Sequence, residues 1–219
     1  MVSASVRKRR FASYLGAGVI ALPSAPTNSA VPTITGASTA EVGIALTATN
    51  GTWAGNPAPS FTRQWQRGDA AAGPFTAISG ATGASYTPVV ADAGKYLRVV
   101  VTATNSEGTA TANSTATAAV RRDPANTVAP AVTGTATVGQ TLTASNGTWT
   151  GTPTPTYTRK WQRSADGATG WADIASATAT TYVLAAADEG QYVRAVVTGT
   201  NTAGTASANS NAVGPVAGA

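Results

Sequence analysis

The sequence repeats itself at a spacing of 96 residues, and that repeat sets the scale on which the chain can fold. Asn50-Gly51-Thr52-Trp53 returns as Asn146-Gly147-Thr148-Trp149, and Thr62-Arg63-Gln64-Trp65-Gln66-Arg67 returns as Thr158-Arg159-Lys160-Trp161-Gln162-Arg163. Asp92, Gly94, Tyr96 and Arg98 return as Asp188, Gly190, Tyr192 and Arg194. About half of the positions from Val42 to Val120 are identical to those 96 residues later. Nearer the start the offset is 98, because Pro26-Thr27-Asn28 matches Pro124-Ala125-Asn126; repeat one therefore carries two extra residues between Gly36 and Val42. A unit of this length exceeds the roughly 20–50 residues of a solenoid repeat and has the size of a small domain. The boundaries that follow are an unrepeated segment over 1–25, a first domain over 26–121 and a second over 122–219. Arg121-Arg122-Asp123-Pro124 is expected to be a polar linker, closed by a proline that stops strand pairing.

Within each repeat the local signals are those of strands. Leu97-Arg98-Val99-Val100-Val101-Thr102-Ala103 is β-branched and lacks strong helix formers. Gly, Pro and Asn interrupt the chain at short intervals, and Asn50-Gly51 and Asn146-Gly147 tolerate the positive φ of a tight turn. Short strands so spaced predict antiparallel β-sandwiches; a central-strand tryptophan, an Asp-x-Gly-x-Tyr turn and a last strand after a Gly-bearing turn (Asn105 to Gly108, Asn201 to Gly204) narrow the all-β fold to two tandem immunoglobulin-like antiparallel β-sandwiches with an N-terminal extended arm. Trp65 and Trp161 are placed to fill the space between two sheets. The spacing Asp92-x-Gly94-x-Tyr96, with Asp188, Gly190 and Tyr192, predicts a tyrosine corner in which the phenol bonds back to nearby backbone. Leu97, Val99 and Val101 are expected to face the core, as are Val193, Ala195 and Val197, leaving Tyr96 and Arg98 to face outward or toward the sheet end. Trp53 and Trp149 are expected to cover the sandwich end, Phe75 and Trp171 to pack under a loop, and the arginines flanking Trp65 and Trp161 to be solvated or at the sheet end.

The composition removes whole classes of chemistry. The chain has no Cys and no His, so thiolate or imidazole metal ligands and Ser-His or Cys-His catalysis are excluded. Asp92 and Asp188 sit in a turn motif that accounts for them structurally. Asp188-Glu189 lacks the run of alternating acids a calcium loop needs. Gly16-Ala17-Gly18 lacks the strand and helix of a phosphate-binding loop. Asn50-Gly51-Thr52, Asn113-Ser114-Thr115 and Asn146-Gly147-Thr148 match the glycosylation sequon but read as turns or a terminal strand. No catalytic residue, cofactor or metal is expected.

The succession NGTW, PxP, TRxWQR, ADxGxYxR and TNxxGxAxAxS, covering residues 26–219, resembles the tandem immunoglobulin-like domains of bacterial secreted and surface proteins and of tailed-phage virion proteins. Arg98 and Arg194 stand where the antibody pattern has its second core cysteine, which sets the chain apart from that branch. The resemblance implies a non-enzymatic structural role, at its most specific a capsid decoration protein or head fibre on the virion surface. A secreted or cell-surface adhesive module with a cleaved signal peptide is the alternative.

The unrepeated segment discriminates between these. Arg7, Lys8, Arg9 and Arg10 supply +4 of the net +5, no acid occurs before Glu41, and Phe11 to Leu22 is free of charge. The outline fits a signal peptide, but the small residues that follow make poor cleavage sites. Twelve apolar residues would extend about 18 Å as a helix, short of the roughly 30 Å bilayer core, so no membrane span is expected. A docking arm remains: the basic run meets an acidic surface, and Phe11, Tyr14, Leu15, Val19 and Ile20 fill apolar grooves of a partner. That partner is expected to be a major capsid or other virion protein, contacted by many copies in a symmetric assembly. The nearly neutral body is not expected to bind nucleic acid; its loops could hold a host-surface glycan or protein weakly.

Overall fold

A computed structural model describes residues 22–219, and in it both repeats fold through the same succession of strands. The first comprises β1 (Ser24–Ala30), β2 (Ile34–Thr35), β3 (Leu46–Ala48), β4 (Thr52–Asn56), β5 (Ser60–Gly68), β6 (Phe75–Ala77), β7 (Ser85–Tyr86), β8 (Tyr96–Asn105) and β9 (Gly108–Asn113). The second comprises β10 (Arg122–Val128), β11 (Val132–Thr133), β12 (Thr141–Ala144), β13 (Thr148–Thr152), β14 (Thr156–Ser164), β15 (Ala172–Asp173), β16 (Thr181–Val183), β17 (Tyr192–Thr200) and β18 (Thr205–Asn209). In the first, a four-stranded sheet β6-β5-β8-β9 faces a three-stranded sheet β2-β3-β7, and β1-β4 form a separate pair against β8 and β9; the second repeats the sheets as β15-β14-β17-β18, β11-β12-β16 and β10-β13.

The register places the alternating residues. Trp65 lies opposite Val99 and Gln66 opposite Arg98 across β5 and β8; Trp161 lies opposite Ala195 and Gln162 opposite Arg194 across β14 and β17. Because side chains alternate across a strand, one such register sends Trp65, Leu97, Val99 and Val101 to the core together. All four are fully buried, as are Trp161, Val193, Ala195 and Val197. All but Val197 join two separate apolar clusters, one drawn from residues between Ala40 and Val120 and one from residues between Val132 and Val216.

The break between β3 and β4 has a steric cause. Gly51 holds φ at 77°, and a Cβ there would lie 2.2 Å from the carbonyl oxygen of Ala30. Gly147 repeats this at 71°, with 2.2 Å to the carbonyl oxygen of Val128. Only glycine fits a position that needs both a left-handed backbone and this close approach.

Two expectations are corrected. The chain between the repeats is not a linker: Arg122-Asp123-Pro124 is the start of β10. The proline does not stop pairing because it sits in a β-bulge, where pairing steps from Arg122–Thr152 to Ala125–Thr150 and no ladder N–H is needed from Pro124. Pro26 occupies the same bulge in β1, which begins at Ser24, two residues inside the unrepeated segment. The second correction concerns Tyr96 and Tyr192. Both open their strands half-buried, and neither phenol makes a hydrogen bond among the described residues. The corner is instead built on the aspartates, from an earlier tyrosine.

The two sandwiches meet at Arg121. Its backbone pairs with Ala40 and Val42 of the first domain. Its guanidinium donates to Glu41 Oε2 at 2.9 Å and reaches into the second domain to donate to the Thr202 carbonyl at 2.7 Å.

Candidate functional site

Asp92 and Asp188 are fully buried carboxylates, and both are committed to the fold. Each is fully buried in a short 3-10 turn before the long core strand. Asp92 accepts from the Tyr86 hydroxyl at 2.6 Å, from the Val89 N–H at 2.8 Å and from Arg67 Nη1 at 3.0 Å. Three donors satisfy a charge that would otherwise be costly to bury. Asp188 accepts from Tyr182 at 2.7 Å and the Ala185 N–H at 2.8 Å, but Arg163 donates to the Ala187 carbonyl and stands 3.4 Å from Asp188 Oδ1, which has no hydrogen-bond partner. Arg67 and Arg163 are thus turned to these turns rather than solvated. Burial, then the hydrogen bond to Asp188 and its charge, push the Tyr182 phenol up to about 12. Tyr86 is raised further for the same reasons against Asp92. These tyrosines are held neutral as donors, the opposite of what a nucleophile or base requires.

The outer face of the four-stranded sheet carries an arrangement that sequence reasoning missed. The guanidinium carbon of Arg98 lies 4.3 Å above the centre of the Phe75 ring, and Arg98 Nε donates to Gln66 Oε1 at 2.8 Å. Arg194 stands 4.1 Å above Trp171 and donates to Gln162 Oε1 at 2.9 Å. Phe75 and Trp171 therefore lie under an arginine, not under a loop: both sit on the edge of the sheet that the Arg strand's outward register faces. The signal was present, since Gln66, Arg98 and an aromatic at 75 all return 96 residues later. Around Arg194, Asp173 takes hydrogen bonds from Gln162 at 2.7 Å and Lys160 at 3.0 Å, which hold its carboxyl below the usual range. Burial lowers the Arg194 pKa.

Trp65 and Trp161 lie fully buried between the sheets, their indole N–H groups donating to the carbonyls of Gly83 at 3.0 Å and Ala179 at 2.9 Å. Trp53 and Trp149 donate to the carbonyls of Asn50 and Asn146, both at 2.7 Å, and tilt against Phe61 and Tyr157. The expected anchoring residues Arg7, Lys8, Arg9, Arg10, Phe11, Tyr14, Leu15, Val19 and Ile20 lie outside the described residues. Among the described residues no group of three or more metal-ligating side chains gathers, and no helix is long and apolar enough to cross a membrane. An open depression of about 340 Å³ beside residues 175–183 is lined mainly by Ala, Ser and Thr and holds no acid or base beyond Tyr182.

In each half, a tryptophan-bearing strand pairs with the strand after the Asp-x-Gly-x-Tyr turn, and this sheet packs face to face on a second antiparallel sheet over one core. Each half is an immunoglobulin-like sandwich. The family model described as a domain of unknown function (DUF8696) matches residues 127–214, most of the second immunoglobulin-like domain and less than half of the chain. No curated protein matches. Among solved structures, a titin fragment is 17% identical over 85% of this chain and 97% of its own, with a TM-score of 0.35. The N-terminal four Ig domains of Dscam1 isoform 7.44 are 16% identical over 86% of this chain, with a TM-score of 0.37. Drosophila OTK extracellular domains 3-5 are 20% identical over 82% of this chain, with a TM-score of 0.42. The chain spans 46% of the Dscam1 fragment and 58% of the OTK fragment.

Proposed function

We propose that this is a non-enzymatic structural protein of a tailed-phage virion, a capsid decoration protein or head fibre. Residues 1–25 anchor it to a major capsid or other virion protein, and the immunoglobulin-like domains project from the virion surface. The observation that carries the reading is a division of labour along the chain. The sandwiches are nearly neutral, with Asp92 and Asp188 consumed by internal hydrogen bonds, whereas the unrepeated segment concentrates four basic residues ahead of an uncharged stretch. Attachment falls to the segment, and display to the sandwiches, which meet host-surface glycan or protein weakly and in many copies. Purified particles should contain the chain, and deleting residues 1–23, which spares β1, should abolish incorporation; normal incorporation of the deletion would refute it.

The uncharged stretch from Phe11 to Leu22 behind a basic run also favours a second reading, an exported bacterial adhesive module whose signal is removed. Intact-mass measurement separates the two: loss of about 21 to 30 residues selects export, and retention of the basic run selects the anchor.

A further inference from the structure

We infer that the outer face of the four-stranded sheet in each domain is a binding site for a carboxylate-bearing polysaccharide, with Arg98 and Arg194 as the carboxylate-recognising groups. Each guanidinium is fixed on two sides, by the aromatic ring beneath it and by the glutamine that takes its Nε–H. Nη1 and Nη2 of each donate to no described residue and are not enclosed. Arg67, Lys95, Arg121, Lys160 and Arg163 each have a carboxylate within ion-pair distance; Arg63, Arg98, Arg122, Arg159 and Arg194 do not, and among the described residues only Arg98 and Arg194 of these are stacked on a ring. What remains is a planar, oriented pair of donors without an acceptor. That geometry matches a carboxylate bidentately, and its rotamer entropy is already spent in the stack.

The rest of the face suits a sugar chain. Thr102 and Thr104 lie on the same side of β8 as Arg98, opposite Thr111 and Thr109 of β9. The Thr104 and Thr109 hydroxyls stand 3.2 Å apart, and in the second domain Thr198 meets Ser207 at 2.8 Å and Thr200 meets Thr205 at 3.3 Å. At about 3.4 Å per residue, Thr102 lies about 14 Å along the strand from Arg98. In the first domain, a polymer with its carboxylate on the Arg98 guanidinium can therefore run past Val100 and Gln64 onto uncharged hydroxyls; in the second, it passes Val196 and Lys160. Gln, Arg and the aromatic recur in both domains while their neighbours change: Gln64 and Ala77 become Lys160 and Asp173. Lys160 and Asp173 form an ion pair at 3.0 Å, so the two changes cancel in charge beside Arg194.

This site deepens the weak adhesion in the proposed function and rests on it only for where the polymer is met. The test uses the full chain with Arg7, Lys8, Arg9 and Arg10 changed to Gln, so that the N-terminal run cannot hold a polyanion. Affinity electrophoresis and calorimetry with polygalacturonate should show binding, and its methyl ester, with the same sugar backbone, should not bind. Arg98→Lys with Arg194→Lys keeps the charge but removes the fork, and should weaken binding at least about tenfold with an unchanged melting temperature. The ester comparison needs no change in the sandwiches and stands even where the lysine variant folds poorly. Absent binding, equal binding of the ester, equal binding by a folded lysine variant, or tighter binding of polyglutamate would each overturn the site. Incorporation into particles would be unaffected by any of these results.

Discussion

The phenol of Tyr86 donates to the carboxylate of Asp92, six residues later, at 2.6 Å, and Tyr182 does the same to Asp188 at 2.7 Å. This bond ties the strand before the 3-10 turn to the turn itself, and Arg67 joins the opposite sheet to the same carboxylate at 3.0 Å. Replacing Asp92 by Ala takes this acceptor from Arg67, Tyr86 and the Val89 N–H together. Arg67 is partly exposed and can turn to water, so the cost is set by the Tyr86 hydroxyl and the Val89 N–H, at about 1–3 kcal/mol for each. Asp188→Ala should cost less, because one Asp188 oxygen already lacks a hydrogen bond and Arg163 keeps its carbonyl partner. Urea unfolding of the two variants checks both the size and the order.

Alkaline pH should act on the same corners. Folding raises the Tyr182 phenol from 10.0 to about 12, so the native state holds this proton more tightly than the unfolded chain does. Its contribution to stability is intact below pH 10 and is lost as pH climbs toward 12. The urea midpoint should fall over that interval. Tyr182→Phe should flatten the fall, leaving the part due to Tyr86; an unchanged slope would contradict the shift.

Gly51→Ala and Gly147→Ala test the steric account of the broken strand. Each forces a left-handed backbone on a residue with a Cβ and drives that Cβ against a carbonyl oxygen. A loss of about 1–3 kcal/mol or more is expected in each, read from thermal or urea unfolding.

The sandwich fold was legible in the sequence because its determinants are local or periodic: Asn-Gly turns, alternating Val and Leu, and a tryptophan at the same place in each repeat. The partners of Asp92 were not. Tyr86 lies in a two-residue strand with no alternating pattern around it, whereas Tyr96 has the spacing of a familiar motif. Spacing gave Tyr96 a role that only the fold could assign. Pro124 misled in the same way, because a proline breaks a regular ladder but is accommodated in a bulge. The Arg98–Phe75 stack joins strands β8 and β6, which lie on either side of β5, so no short-range pattern marks it.

Arg121→Ala should loosen the joint between the domains without unfolding either. The side chain connects Glu41 to Thr202, and in the second domain the equivalent positions of Arg121 and Glu41 are Ala217 and Thr137. Small-angle scattering should report a broader distribution of particle dimensions, and NMR relaxation should separate the tumbling of the two domains. Unfolding midpoints are expected within about 0.5 kcal/mol of the parent.

The prolines buried in the bulges of β1 and β10 have a consequence for the chain as a crowd of near-copies. Two domains so alike, tethered in one chain, face the hazard that a strand of one invades the sheet of the other during folding. Pro26 and Pro124 offer no N–H where a foreign strand would need one, and the shifted register around them spoils the match on either side. Both leading strands carry the same proline and the same shift, so each is a poor template for a regularly paired strand, a safeguard against open-ended sheet growth that gains value with every further copy packed nearby.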